Sequence, residues 1–379
     1  MAPSAMTASS QRLYELDAAK FVAMLFMMAG HVLSALVLPE QLDISRPPWS
    51  LWHWWRGITA PVFLTISGML FSLTLRRNEA GTIVPTILRR RVLRALQLLG
   101  IGYLLVLPVR HLYELPFIEE SAWYAFVQVN VLQLIAASLI VLVCVAFLFH
   151  SPRTFERATA ILTLGVVMLT PLVHQVQWYD HLPSALAAYL SYDGGSLFPV
   201  FPFSAYMFAG AWMGNVLSRS GTGNRSQLRT RAAVLGLALI ALGVGGSLLF
   251  PSPDIYRYTP FGVAIRQGVV LLIIVATSLL LPLVRPIQSL LVLFGKQALT
   301  IYVLHLVLLY GTPWTDSIGR LKPNALTLGE GILAAAAIIG VTLGSVLMVN
   351  RLRAYLVHPV TLRLARVGTA VLLGWLLLV

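Results

Sequence analysis

The stretch ELDAAKFVAMLFMMAGHVLSALVL, residues 15–38, decides how this chain is read. It exceeds the roughly 20 apolar residues a helix needs to cross a bilayer, yet it carries Asp17, Lys20 and His31. Ionisable groups inside a span are expensive, so each marks a functional site by default. At about 100° per residue, Lys20 and His31 return to within roughly 20° of one face, and Asp17 lies some 40° from His31. Ser34 sits one turn beyond. The stripe therefore faces protein or water rather than lipid. Lys20 and His31 stand about 16 Å apart along the axis, a spacing that suits a reaction whose partners arrive from opposite faces. Two plainer roles stay open for Lys20: an i,i+3 ion pair with Asp17, or snorkelling to the interface.

Further apolar runs of similar length follow at roughly 55–75, 92–109, 124–149, 158–176, 196–217, 231–250, 263–284, 287–310 and 326–350, with a shorter one at about 364–379. Continuous runs favour helices over alternating barrel strands. The fold class expected is all-α, a polytopic transmembrane helix bundle of about 10–11 spans. Composition agrees: 58% of residues are hydrophobic and 11% charged, against about a quarter charged in a soluble domain. So few charges exclude a soluble enzyme, a nucleic-acid binder or a disordered chain. Residues 1–11 read as a disordered tail without the marks of a signal peptide. Residues 12–379 read as one integral-membrane domain, and the single cysteine, Cys144, excludes a disulfide framework.

The net charge of +13 sorts by loop. With the N-terminus cytoplasmic, the inner loops hold Arg76, Arg77, Arg89, Arg90, Arg91, Arg153, Arg157, Arg219, Arg225, Arg229, Arg231, Arg285, Arg351, Arg353, Arg363 and Arg366. The outer loops hold Arg46, Arg110, Arg257, Arg320 and Lys322, and acids such as Glu40, Asp43, Glu114, Asp180 and Asp254. That is the positive-inside pattern, which sets the orientation; the membrane expected is a bacterial-type cytoplasmic (inner) one, with lipid, not nucleic acid, as the partner.

From Arg12 to His31, the run Arg-Leu-Tyr-Glu-Leu-Asp17-Ala-Ala-Lys20-Phe21, then an apolar stretch to His31, resembles the opening signature of the acyltransferase 3 proteins and the related heparan-alpha-glucosaminide N-acetyltransferase group. That signature has an arginine, then Leu-Asp-x-x-Arg-Gly, an apolar run and a histidine. Lys20 and Phe21 depart from it, and Lys lacks the bidentate fork of Arg. Trp55-Arg-Gly-Ile-Thr-Ala-Pro61-Val-Phe63 with Ser67-Gly68, Val131-Leu-Gln133, Phe198-Pro-Val-Phe-Pro202 with Gly210 and Gly214, and Phe294-Gly-Lys296 through Tyr302 and His305 resemble later segments of the second group, in order along most of the chain.

The resemblance implies acyl transfer, acetyl above all, from a cytoplasmic acyl-CoA to a sugar or glycan on the outer side. A donor with phosphates needs a basic mouth, and Arg89, Arg90, Arg91 and Arg94 offer one, with Lys20 and Lys296 as further candidates; topology signalling is the rival role for each arginine. His31 is the candidate general base, because an imidazole takes a proton near neutral pH without a metal. His53 is the second candidate, among Trp52, Trp54 and Trp55, and Asp17 the third catalytic candidate. Trp52, Tyr302 and His305 are candidates for acceptor contact. No metal-ligand spacing, P-loop or dinucleotide fingerprint occurs, so no metal is expected. A proton-coupled carrier using Asp17, Lys20, His31 and Glu330, or a non-catalytic family member, are the alternatives, and whether a homo-oligomer forms is left open.

Overall fold

A computed structural model of the chain describes residues 13–220, 225–252 and 254–355, with Gly374 and Leu377. The apolar stretch at 364–379 and the tail at 1–11 lie outside that set, apart from those two residues. Among the described residues there is no strand, only isolated bridges such as Val37 with Leu326. The long helices are α1 (Tyr14–Leu36), α2 (Trp49–Leu73), α3 (Pro85–Leu105), α4 (Val131–Leu148), α5 (Pro152–Val173), α6 (Val200–Ser220), α7 (Arg225–Leu249), α8 (Pro260–Leu280), α9 (Gln288–Lys296), α10 (Ala298–Tyr310) and α11 (Leu328–Tyr355). Seven helical segments among the described residues are long and apolar enough to cross a membrane: α1, α2, α4, α5, α7, the run from α8 through α9, and α11. The chain is a helical, multi-pass membrane protein.

Each of the ten expected spans overlaps a helix, but several bounds move. Prolines at the starts of α3, α5 and α8 set where those helices begin, because the first turn has no use for the missing N–H. Ser151 and Thr259 cap two of them by accepting from the amides of Thr154 and Gly262. Starting at Pro85 puts Arg89, Arg90 and Arg91 inside α3 with Arg94, rather than in a loop. The expected span 124–149 is divided. A short helix, Glu120–Val127, stops where the Val129 amide donates to Ser196 and its carbonyl accepts from Phe198, and α4 begins afresh at Val131. α3 and α6 fall short on apolarity, not length, each being 21 residues. α3 carries four arginines, and α6 is central, with Phe203, Tyr206, Met207 and Ala211 buried, so lipid does not dictate its composition.

The side where α1 begins is termed proximal, the side where it ends distal. Successive long helices alternate between them, with α9 and α10 together making one passage. α2 is the hub and buries 61% of its apolar window, whereas α7 buries only 11%. α7 and α5 instead present Leu237, Leu242, Leu248, Ile161 and Leu164 outward, as lipid-facing helices do. In lipid, burial of apolar surface does not drive helices together, so packing rests on close backbone approach. α2 and α6 show this directly. A Cβ on Gly68 would stand 1.9 Å from the Met207 carbonyl, one on Gly210 2.0 Å from that of Thr65, and one on Gly214 2.5 Å from that of Met69. Ser72 Oγ also donates to the Ala211 carbonyl at 2.6 Å.

Gly210→Ile is expected to destabilise the protein by about 1–3 kcal/mol or more, since only backbone can give way. Gly100→Ala, where the added carbon meets nothing within 4 Å, should be neutral. Thermal unfolding of the two variants in detergent compares them.

Candidate active site

α2 is pinned to α6 on one side and open on the other. Along the open side runs a cavity of about 1410 Å³ that follows α2 from Ser50 to Thr74, about 36 Å of helix. It is therefore an elongated cavity rather than a pocket confined to one end of α2. Among the described residues, nine cationic side chains line it and a single carboxylate, Asp254. Lys20, Arg76, Arg90, Arg91, Arg94 and Lys296 belong to the proximal half; Arg56, Arg257 and Arg266 to the distal half.

Helical phase explains the proximal cluster. Ile87, Arg90, Arg91, Arg94 and Leu98 line the cavity at spacings that form one face of α3. Arg89 is exposed and lies off that face, outside the lining. Arg91 Nη2 donates to the Phe71 carbonyl at 2.7 Å and to Thr74 Oγ1 at 3.2 Å, with its guanidinium 3.7 Å above the Phe71 ring. It thus ties α3 to the C-terminal end of α2, where the helix dipole favours a cation. Across the cavity, Lys20 Nζ pairs with Asp17 Oδ1 at 3.1 Å. Asp17 is buried and does not line the cavity. Its backbone carries α9, because a Cβ on Gly295 would stand 2.2 Å from the Asp17 carbonyl. That close approach brings Lys296 into the lining beside Lys20.

Farther along α1, His31 lines the cavity, and its Nδ1 lies 3.0 Å from Nε2 of buried His305 on α10. The rings are 8° from parallel with centroids 5.3 Å apart. That separation is what one N–H···N bond plus two half-rings spans, so they lie end to end. His305 Nδ1 is 2.9 Å from the Ile301 carbonyl, which only accepts. His305 therefore carries its proton on Nδ1, and in the neutral ring Nε2 accepts. His31 must then donate from Nδ1, which leaves its Nε2 with an unshared electron pair. Tyr302 also lines the cavity, its ring edge-on to His305 at 5.6 Å.

Two arginines within the helices went unread in the sequence. The apolar run read at 55–75 begins one residue before Arg56, whereas α2 begins at Trp49, which puts Arg56 well inside the helix. It donates from Nη1 to Ser34 Oγ, so the last member of the α1 stripe has a partner. It crosses α1 over Gly30, where a Cβ would stand 2.7 Å from its Nε. Arg266 lies six residues into α8, over the Tyr256 ring at 4.5 Å. Its signal was plain, a charge within an expected span. His53 is exposed at the distal mouth of the cavity. Trp52 lies outside the main cavity; it lines a smaller one of about 440 Å³ with His53, Ser34 and Arg56 and packs on Phe26.

Glu330, which a carrier would need within the bilayer, sits instead in the first turn of α11. It is exposed and accepts from the amide and hydroxyl of Thr327 at 2.8 Å each, a capping box. Among the described residues, no three His, Cys, Asp or Glu side chains gather as metal ligands would.

A long cavity in a multi-helix membrane protein, lined by cations and by His31, which is bonded to buried His305, is the class of site this fold defines. The family model of the acyltransferase 3 group, described as an acyltransferase domain, matches residues 13–350, so the chain belongs to that family and is a membrane acyltransferase. A search of curated proteins finds no match.

Gly30→Ala tests the Arg56 crossing. The clash is with the end of a flexible side chain, so the melting temperature should stay near wild type. Arg56 would lose Ser34, and acyl transfer should fall about tenfold, on the scale of one charged hydrogen bond. Ser34→Ala should lower transfer in the same direction.

Proposed function

We propose that this acyltransferase moves an acetyl or similar acyl group from a cytoplasmic acyl-CoA to a hydroxyl or amine of a sugar or glycan on the outer side, with His31 as general base. One observation carries the reading: a single cavity follows α2 from end to end, basic at the proximal mouth, with His31 between the mouths. The charges support a cytoplasmic proximal side, since the described residues there include Arg76 and Arg77 after α2, Arg153 and Arg157 at the start of α5, and Arg285 between α8 and α9. In this reading the membrane is the bacterial-type cytoplasmic one.

Arg90, Arg94, Lys20 and Lys296 hold the phosphates of the donor, and Asp17 keeps Lys20 in place. Arg89 contributes to orientation in the membrane instead. The pantetheine arm then follows α2 toward His31, about 16 Å beyond Lys20 along α1. The acceptor comes in past His53, with Trp52 at the neighbouring recess and Tyr302 beside the reacting groups.

His31 Nε2 takes the acceptor's proton as the acceptor oxygen or nitrogen attacks the thioester carbon. The carbonyl oxygen becomes an oxyanion, and Arg56, held across α1 next to His31, supplies the positive charge it needs. Collapse breaks the C–S bond, and the departing CoA thiolate takes the proton from His31. His305 acts by position: its Nε2 accepts from His31 Nδ1, fixing tautomer and orientation as the carboxylate does in a Ser-His-Asp triad.

Purified protein with labelled acetyl-CoA tests this. His31→Ala should lose about 10²–10⁴-fold in transfer while still binding CoA. His305→Leu should lower transfer, and His305→Gln, whose amide oxygen still accepts, should recover part of it. Normal transfer by His31→Ala would sink His31 as the base.

A further inference from the structure

The distal half of the cavity holds more positive charge than a neutral acceptor needs. Arg56, Arg257 and Arg266 line it, and Asp254 is the one carboxylate beside them. Asp254 is already committed. It accepts from the backbone amides of Tyr256 and Arg257 at 3.1 Å each and pairs with Arg257 Nε at 3.2 Å. Neither Arg56 nor Arg266 has a carboxylate partner among the described residues. The Nε of Arg266 is buried with no hydrogen-bond partner at all.

Arg266 is also deep. It lies about 9 Å along α8 from Pro260, over the Tyr256 ring, whose hydroxyl accepts from Trp54 Nε1 at 2.7 Å. Gly57 clears its way, since a Cβ there would stand 2.7 Å from Arg266 Nη2. A guanidinium at that depth without a counter-ion is costly, and its planar fork matches carboxylate and phosphate oxygens. The donor's phosphates do not serve it. Arg266 meets α2 at Gly57 and Arg91 meets it at Phe71, about 21 Å apart along the helix. Two anion sites therefore share one cavity.

We propose that the acceptor is anionic, and that Arg266 and Arg257 form a subsite for its carboxylate or phosphate group, with Trp54 and Tyr256 as aromatic walls for the attached sugar. This rests on the acyl-transfer reading for the word acceptor; the anion site itself stands on the distal cluster. Arg56 keeps its place beside His31, while Arg257, at the exposed rim, meets the anion first.

The test measures binding of methyl glucuronide, glucose 1-phosphate and neutral methyl glucoside to the purified protein by calorimetry. The wild type, Arg266→Gln, Arg257→Gln and Arg91→Gln are compared. Both or one of the anionic probes should bind at least about tenfold more tightly than methyl glucoside, as a charged hydrogen bond implies. Which of them binds better separates a sugar acid from a glycosyl phosphate. Arg266→Gln should lose that advantage and Arg91→Gln should keep it. Arg257→Gln, at the solvent-exposed rim, should weaken the anions severalfold even if Arg266→Gln fails to fold. Equal binding of the neutral probe, unchanged anion affinity in the distal variants, or loss confined to Arg91→Gln would each overturn the proposal. CoA binding is measured on the same samples. Its absence throughout would overturn the donor assignment and leave the anion result standing.

Discussion

The backbone contact between α2 and α6 carries much of this molecule. Gly68, Gly210 and Gly214 let two helices meet carbonyl against Cα, as close as helices come. One side of α2 is thereby fixed without bulky side chains. Its other side is left to line a cavity over its whole length, from Ser50 to Thr74. Arg91 adds a second tie at the proximal end by bonding to the Phe71 carbonyl. A shift of α2 would move Arg56, Gly57 and Thr74 together, and with them both mouths of the passage.

Within that frame the polar groups divide by role. Asp17 and Lys20 satisfy each other, and Glu330 closes a helix end. The His31–His305 bond is different in kind. It ends at a backbone carbonyl, so it dictates where each proton sits and leaves one nitrogen with a lone pair. Among the described residues the cations of the cavity are matched by one carboxylate, Asp254, and that imbalance supports the proposed substrate site over a structural charge network.

Much of this was legible in the sequence, and the misses have physical causes. Apolar length alone located the helices, and the 100° step put Lys20, His31 and Ser34 on one stripe, of which Lys20 and His31 line the cavity and Ser34 accepts from Arg56. The partner of His31 was not legible, because His305 lies 274 residues away and only the packing of α10 on α1 brings the rings together. Arg89 could not be told from its neighbours because a run of three arginines has no phase until Pro85 fixes where α3 starts. Arg56 and Arg266 both fall within expected spans, at 55–75 and 263–284, but only the packing of α2 and α8 shows that they face one cavity. Boundaries such as Val131 depended on a loop at 196–198 that no local pattern announces.

The passage along α2 has a consequence for the membrane around it. On the proposed reading, in which donor and acceptor enter from opposite faces, a cavity joining the two faces would threaten to let protons leak through. Nine cations against one carboxylate raise the electrostatic potential along the whole path. Hydronium and metal cations are repelled, as they are by an arginine at a water-channel constriction. On that reading the charges proposed to suit anionic substrates also insulate: the protein would hold an opening across the bilayer and keep it closed to the ions whose leakage would be most harmful.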